Sequence, residues 1–447
     1  MGIFDDLYGT PQMRGLFSDA TSVQRMLDVE AALARAEAHV GLVPPQVADS
    51  IASAARVERV DLDAIAESTK RVGYPIVAVA KQLGLAAGGD APRYVHLGAT
   101  TQDILDTALV LQLRDGLQIV ERELAAIAKA LVARAVEHRT TVMAGRTHLQ
   151  QAVPITFGYK CALWAAPLLE HIAAVRASRE GLVVQFGGAA GTLASLGERG
   201  REVCVTLARE LKLKAPDAPW HGSRVLFAQI SSLLGIVCGS LAKFATDVAL
   251  LMQTEVAEVF EPYESGRGSS STMPQKRNPI ASEYVLASTR GVHALVPMML
   301  GAMAGDHERS TGAWQSERIA LPQIFILTGG ALLHARTIAE GMTIDAARMR
   351  ENLDRGGGLI MAEAVAAALT GVMGRDAAHH AVERACAVAA EGEMSFADAL
   401  AADQMVGKCL GGADLDALFD PSAYLGDALG VVDRVAAAAR EVLHAAG

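Results

Sequence analysis

A run of branched aliphatic residues at helical spacing constrains this chain more than any other feature. Leu105, Leu109, Leu113, Leu117, Leu124, Ile127 and Leu131 recur at intervals of three, four or seven residues. That spacing places them on one face of a single helix running from about Asp103 to His138. At 1.5 Å per residue the helix spans about 50 Å, too long to be enclosed by a small globule. Similar patterns over about 155–180, 224–259, 279–299 and 316–339 predict four more long helices, the last kinked at Pro322. Helices of this length fit an elongated bundle, and their wide apolar faces call for helices of other subunits. Strand signals are nearly absent: aromatic residues make up 4%, and alternating β-branched runs are hard to find. The expectation is an all-α protein.

Shorter helices flank the bundle. Ser18 and Asp19 can cap a helix whose apolar positions are Val23, Met26, Leu27, Leu33 and Val40, with Gly41 and Pro44-Pro45 ending it. Three helical domains follow: 1–100, a central long-helix bundle over 101–345, and 346–447. A charged fraction of 20% beside 51% hydrophobic residues excludes a disordered chain. With 40 Lys and Arg against 50 Asp and Glu, the net charge of −10 lacks the basic field that nucleic acid or an anionic membrane attracts. The five cysteines are scattered and form no CxxC pair, so they predict neither a disulfide framework nor a zinc or redox site. The first residues carry no basic, then apolar, leader, and the expected location is cytoplasmic. The uncharged stretch 225–242 approaches the length of a membrane span. It reads as a buried bundle helix, on the expectation that no second such span exists.

Three non-helical segments interrupt the long helices. They are His96-Leu-Gly-Ala-Thr100-Thr101-Gln-Asp103, Gly145-Arg146-Thr147-His148-Leu-Gln150, and 266–279, which contains Gly268, Ser269, Ser270, Ser271, Thr272, Met273, Lys276, Arg277, Asn278 and Pro279. In the third, two glycines and a serine run make a loop, and Asn278 with Pro279 reads as a helix cap. A helix N-terminus beside Lys276 can hold an anion. A flexible linker ending in a cap explains the composition equally well. It does not explain the whole string Ser-Ser-Thr-Met-Pro-x-Lys-x-Asn-Pro.

That string resembles the signature of the fumarase/aspartase superfamily, the fumarate lyases, and the resemblance extends over nearly the full chain. His96–Asp103 is similar to the family's first region and Thr147-His148 to its second. Within the family the closest likeness is to the 3-carboxy-cis,cis-muconate cycloisomerase group. Tyr94–Asp103, Ala152–Gly158, Leu251–Pro262, His307-Glu-Arg309 with Trp314-Gln315, and Gly374–His380 carry it. The resemblance implies an all-helical homotetramer with a twenty-helix core, and active sites each built from three subunits. It implies no cofactor, and a di- or tricarboxylate as substrate.

It also implies a chemistry. A proton leaves the carbon next to a carboxylate, giving a doubly negative aci-carboxylate, and a bond at the β carbon then breaks, or the reverse. Such an intermediate needs donors and cations already in place. By the resemblance these are Thr100, Thr101, Thr147, Lys276 and Asn278, with Ser271, Met273 and Arg318 as further substrate contacts. Ser270 is the implied base, with Ser271 as fallback. Its alkoxide would need helix dipoles and a closed, dry loop. His148 is the implied general acid, and Glu283 the carboxylate that orients it and raises its proton affinity.

Several positions depart from the pattern. Ser269 stands where the family usually has Gly. His148 and Arg318 stand where the cycloisomerase group usually has Trp, which points toward acid-assisted elimination, as in adenylosuccinate lyase. Tyr74, Trp314 and Leu7 replace that enzyme's phosphate contacts. Two activities therefore stay open beside cycloisomerisation. One is a fumarate-releasing lyase of an N-substituted aspartate or adenylosuccinate-like substrate; the other is a catalytically silent helical scaffold. Arg146, Arg267 and Arg277 read either as ordinary loop charges or as groups that steer a polyanion. The glycine-rich stretch 187–192 lacks the ending of a P-loop and reads as a bend. His379-His380 has no carboxylate or thiolate at ligand spacing, so no metal site is expected.

Overall fold

The computed structural model describes residues 2–264, 266, 268, 272–273, 275–392, 394–410 and 412–444. Ser270, Ser271, Ser269 and Arg267 lie outside the described residues. Among the described residues there are nineteen α-helices and four short strands, so the chain is all-α as its periodicity predicts. Six helices exceed twenty residues: α1 Asp19–His39, α2 Thr101–Glu137, α3 Phe157–Glu180, α4 Val225–Leu251, α5 Ile280–Gly301 and α6 Ala313–Gly341. The 37 residues of α2 give it a length of about 55 Å.

Local chemistry sets the helix ends. The Ser18 hydroxyl accepts the Thr21 amide at 3.2 Å and starts α1, whose Val23, Met26, Leu27 and Leu33 are buried. At α2 the Asp103 carboxylate reaches back to the Thr100 amide at 2.9 Å, while the Asp103 amide donates to the Thr100 carbonyl at 3.0 Å. This reciprocal pair satisfies two donors that a helix start would otherwise leave open. All seven aliphatic positions that define the α2 stripe are buried. Prolines 167, 297 and 322 lie inside α3, α5 and α6, and each helix continues through its proline.

The strands are the main departure from expectation. β1 Val142–Thr147 and β2 Gln150–Thr156 form an antiparallel hairpin, irregular between Ala144 and Arg146. β3 Val259–Phe260 pairs with β4 Thr343–Ile344. The hairpin turn is His148-Leu149, at φ of 50° and 65°. Two-residue hairpin turns need positive φ, usually supplied by Gly or Asn, and neither is present here to signal it.

The helices sort into two compact units. Unit one comprises Met1–Glu123, His171–Ala242 and Tyr284–His334; unit two comprises Leu124–Glu170, Lys243–Glu283 and Ala335–Gly447. Each of α2 to α6 contributes a segment to both. Leu27, Leu33, Ile51, Val79, Leu83, Ile104, Leu207 and Trp314 belong to the core of unit one. Val365, Leu369, Phe396, Leu400 and Val406 centre one cluster of unit two, and Ala144, Leu353, Ile360 and Met361 another.

Two helices, α4 and α6, are long and apolar enough to cross a membrane by length and composition. The expectation of a single such stretch is therefore corrected. The charges of α6 sit near its ends, at Glu317 and Arg318 and at Arg336 and Glu340, and 319–335 carries none. About half of each apolar window is buried within this chain, 50% for α4 and 61% for α6.

Candidate active site

The first signature segment lies in unit one, and a buried carboxylate organises it. Asp103 is fully buried; one oxygen accepts the amides of Thr100 and Gly188, and the other accepts the Gly187 amide at 2.9 Å and His221 Nε2 at 2.6 Å. The glycine-rich bend thus has a function, as a pair of amide donors to Asp103. A Cβ on Gly187 would come within 2.8 Å of the His221 ring, so the close approach requires glycine there. Arg309 Nη2 donates to Thr100 Oγ1 at 3.1 Å and to the Ala189 carbonyl at 3.0 Å. Its Nε is buried and has no partner among the described residues. His96, at φ 65°, donates its amide to buried Glu30 and places Nδ1 2.6 Å from the same carboxylate. Burial acts to lower the His96 pKa, but Glu30 outweighs it and raises it.

A second network sits one turn further along α2. Arg224, fully buried, donates to Glu317 at 2.7 and 2.6 Å and to Asp106 at 2.7 and 3.2 Å. Asp106 also accepts Gln102 Nε2 and Trp314 Nε1. Burial acts to lower the Arg224 pKa, yet the two carboxylates together raise it. Burial pushes Glu317 upward against the pull of Arg224. The short bidentate bonds are those of a charged pair, so we take all three groups as ionised. This network fixes the first turns of α6, where Trp314 and Arg318 lie.

Unit two holds the other two segments. Thr147 and His148 form the exposed tip of the β1–β2 hairpin, and His148 takes the left-handed φ that side chains rarely adopt. Strain of this kind costs roughly 1–3 kcal/mol and clusters at functional sites. Arg146 is not a loose loop charge: it makes a bidentate pair with fully buried Glu258 at 2.9 and 2.6 Å. Arg277 stacks over Phe260 and Tyr263 and donates to the Glu261 carbonyl at 3.2 Å.

The cap of α5 differs from expectation. Its first amide, Ile280, donates to the Asn278 carbonyl at 2.9 Å; the next two, Ala281 and Ser282, donate to the carboxylate of buried Glu261 at 2.9 and 2.7 Å, and Ser282 Oγ adds a third bond. Glu261, not the Asn278 side chain, accepts the Ala281 and Ser282 amides, so those two donors of the helix end are spent on an internal anion. Asn278 instead donates its amide to the Gly268 carbonyl at 3.0 Å, closing the base of the loop. Gly268 has φ 65°, and a Cβ there would meet the Asn278 carbonyl at 2.7 Å. Lys276, Met273 and Glu283 are exposed. Among the described residues no hydrogen bond or ion pair joins His148 to Glu283.

Of the residues expected in the site, Thr100, Thr101 and Arg318 lie in unit one. Thr147, His148, Met273, Lys276, Asn278 and Glu283 lie in unit two. Sequence reasoning assigned no role to His221, Asp106, Arg224, Glu317, Glu258 or Glu261. Of these, Glu258 and Glu261 stood in a stretch that carried the family likeness, as did Arg309. A hollow of 860 Å³ between 125–137 of α2 and the C-terminal helix Ala428–His444 contains none of the signature residues. His379, His380 and Glu383 bring three ligand atoms within 4.8 Å of one another, so a carboxylate does join the pair, contrary to expectation. All three are exposed, and His380 already contacts Glu383 at 3.3 Å.

Comparison with known proteins identifies the family. Residues 8–293 match the family model described as lyase, and 358–435 that of the adenylosuccinate lyase C-terminus. A 3-carboxy-cis,cis-muconate cycloisomerase of Pseudomonas aeruginosa is 46% identical, over 97% of this chain and 96% of that protein. The crystal structure of a 3-carboxy-cis,cis-muconate lactonizing enzyme from Pseudomonas putida superposes with a TM-score of 0.91 at 44% identity, covering 98% of this chain and 99% of that one. A fumarate lyase from Mesorhizobium sp. BNC1 superposes with a TM-score of 0.90 at 43% identity, covering 96% and 98%. Full-length similarity to enzymes sets aside a silent scaffold, and the chain belongs to the fumarate lyase superfamily, as one of its lyase or cycloisomerase enzymes.

Proposed function

We propose that this enzyme removes a proton from the carbon next to a carboxylate and makes or breaks a bond at the β carbon. The named activity we assign is 3-carboxy-cis,cis-muconate cycloisomerase, the opening or closing of a lactone. The observation that carries it is the similarity to the Pseudomonas aeruginosa cycloisomerase along 97% of the chain. In the elimination direction Ser270, as alkoxide, takes the Cα proton. The bonding pair moves into the neighbouring carboxylate to give the aci-carboxylate. That pair returns to form the carbon–carbon double bond as the β bond breaks, and the leaving group departs with its electrons. Thr100, Thr101, Thr147, Lys276 and Asn278 hold the dianion by charge and hydrogen bonds. His148 protonates a basic leaving group, with Glu283 of another copy orienting it. The exposed hairpin tip and exposed Glu283 support sites shared between chains. A homotetramer would also cover the parts of α4 and α6 that this chain does not bury. We further propose that 1–100, 101–345 and 346–447 form an N-terminal helical domain, a central long-helix lyase core and a C-terminal helical domain, and that the enzyme is cytoplasmic and needs no cofactor.

A second reading is a fumarate-releasing lyase. His148 and Arg318, where the cycloisomerase group usually carries Trp, favour it. The test is incubation with 3-carboxymuconate, its lactone and a panel of succinyl amines, followed by absorbance. Conversion between muconate and lactone supports the first reading, and fumarate release supports the second. Turnover of neither overturns both. Ser270→Ala should abolish turnover with folding intact; near-normal activity moves the base elsewhere.

A further inference from the structure

Unit two contains the 860 Å³ hollow between the second half of α2 and the C-terminal helix Ala428–His444, away from the signature segments. Small residues create it. Ala133 lines it from α2, and Ala436 and Ala439 from the C-terminal helix, and side chains of that size cannot fill the space between two helices. Val132, Val136 and Leu443 complete an aliphatic lining, and among the described residues no Phe, Tyr or Trp joins it. Val136 is 54% exposed, so this apolar surface meets water.

The two helices run antiparallel along the hollow. Arg139 binds Asp433 bidentately at 2.9 and 2.7 Å. From that pair the lining proceeds backward along α2 from Glu137 to Ala125, and forward along the C-terminal helix from Ala436 to His444. The shape is a trough, with the ion pair marking one end and Lys129, Arg440 and His444 lying toward the other. Residues 125 to 136 advance about 16 Å along α2. Spread over that length, 860 Å³ gives a cross-section of about 50 Å². A helix of a second copy, about 10 Å across, would need roughly 80 Å². An extended alkyl chain fits.

Charge adds a head group. Among the described residues Lys129, Arg440 and His444 make no hydrogen bond or ion pair. Glu137, the carboxylate in the lining, is already bound by Arg134 at 2.8 Å, and that bond holds its carboxyl below the usual range. The trough therefore carries unspent cations beside an aliphatic floor, on a chain whose net charge of −10 repels an anionic membrane surface.

We infer that this trough binds one free long-chain alkyl carboxylate, its tail along the aliphatic floor and its head group held by Lys129 and Arg440. Its volume falls within the range of about 300–1,000 Å³ usual for small-molecule sites, and the lack of polar groups on the floor selects a plain alkyl body. The inference does not depend on the reaction proposed above.

The test is isothermal titration calorimetry of the full-length protein with monomeric dodecanoate, octanoate and dodecanol. Dodecanoate should saturate at one per chain. It should bind about tenfold tighter than dodecanol, the scale of a charge-assisted contact, and at least tenfold tighter than octanoate, whose tail buries fewer methylenes. Lys129→Gln with Arg440→Gln should bring acid and alcohol to about equal affinity while dodecanol still binds. Ala133→Trp fills the floor and should abolish both. All three positions are exposed, so circular dichroism should show the fold unchanged. Absence of saturable dodecanoate binding overturns the trough. So does binding that Ala133→Trp leaves intact, which would put the acid on other apolar surface such as α4 and α6. An acid preference that survives the double substitution overturns the head-group contacts. A fall in mass by light scattering on Ala133→Trp makes the trough an interface between copies and overturns the proposal.

Discussion

Replacing Arg224 by Met tests whether a charged triad holds the floor of the site. The substitution keeps most of the side-chain volume between Trp220 and Phe227, whose ring centres lie 5.0 and 4.9 Å from the guanidinium carbon. It removes the four bonds of 2.6–3.2 Å to Glu317 and Asp106. Asp106 retains Gln102 and Trp314 as donors, whereas Glu317 retains none that the structure describes. Breaking a buried pair by deleting one partner costs about 3–5 kcal/mol, because the remaining charge is uncompensated. Heat is a poor readout. At about 2.1 cal/mol/K per residue, the unfolding entropy of so long a chain is roughly 0.9 kcal/mol/K, so the melting point moves by only about 4 °C. Urea titration followed by tryptophan fluorescence, at pH values from 5 to 8, is more telling. The two stranded carboxyls must share a proton, which raises their folded pKa above the unfolded value of about 4. Stability is then fully present below the unfolded pKa and lost as pH rises through the folded one. The variant should therefore fall further behind the unmodified protein at each step toward pH 8, and adding Glu317→Gln should recover part of the loss. A cost below about 1 kcal/mol at every pH, or one that does not change with pH, would refute the charged triad.

Glu37 is fully buried, neither carboxylate oxygen has a partner among the described residues, and burial, then Glu30, pushes its pKa up to about 9. The stability of its neutral form is complete below the unfolded pKa and declines by about 1.4 kcal/mol per pH unit until the folded pKa is reached. Glu37→Gln should flatten that slope between pH 5 and 9 in urea titrations, and an equal slope in both proteins would show that Glu37 is paired. Glu261→Ala removes the carboxylate from two amides and a hydroxyl at the start of α5, and should cost about 1–2 kcal/mol. Exchange of the Ala281 and Ser282 amides should accelerate with it; unchanged protection would mean another group caps the helix. Light scattering should give the mass of four chains, and a stable monomer would contradict sites shared between copies.

The long helices were legible because they obey one period with few interruptions. The stripe on α2 needs no partner information to be read, whereas the Thr100–Asp103 pair at its start came only with the structure. The hairpin that carries His148 was not legible. Its turn has no Gly or Asn, and the left-handed φ of His148 and Leu149 is imposed by pairing between Val142–Thr147 and Gln150–Thr156. The cap of α5 misled for a related reason. Asn278-Pro279 is a sound local signal, but the acceptor that wins is Glu261, seventeen residues before Asn278 and brought there by tertiary packing. The same logic explains why the buried charges escaped notice. Asp106, Arg224 and Glu317 are separated by 118 and 93 residues, and each alone looks like an ordinary helix charge. Together they place a fixed dianion under a fixed cation. That leaves Arg318, the neighbour of Glu317 in sequence, as the charge with donors to spare. Local motifs can name the expected reacting groups, because each signature segment carries its own recognisable string even where the groups are far apart in sequence. Which charges the core pairs and which it leaves with donors to spare is a property of the packed whole.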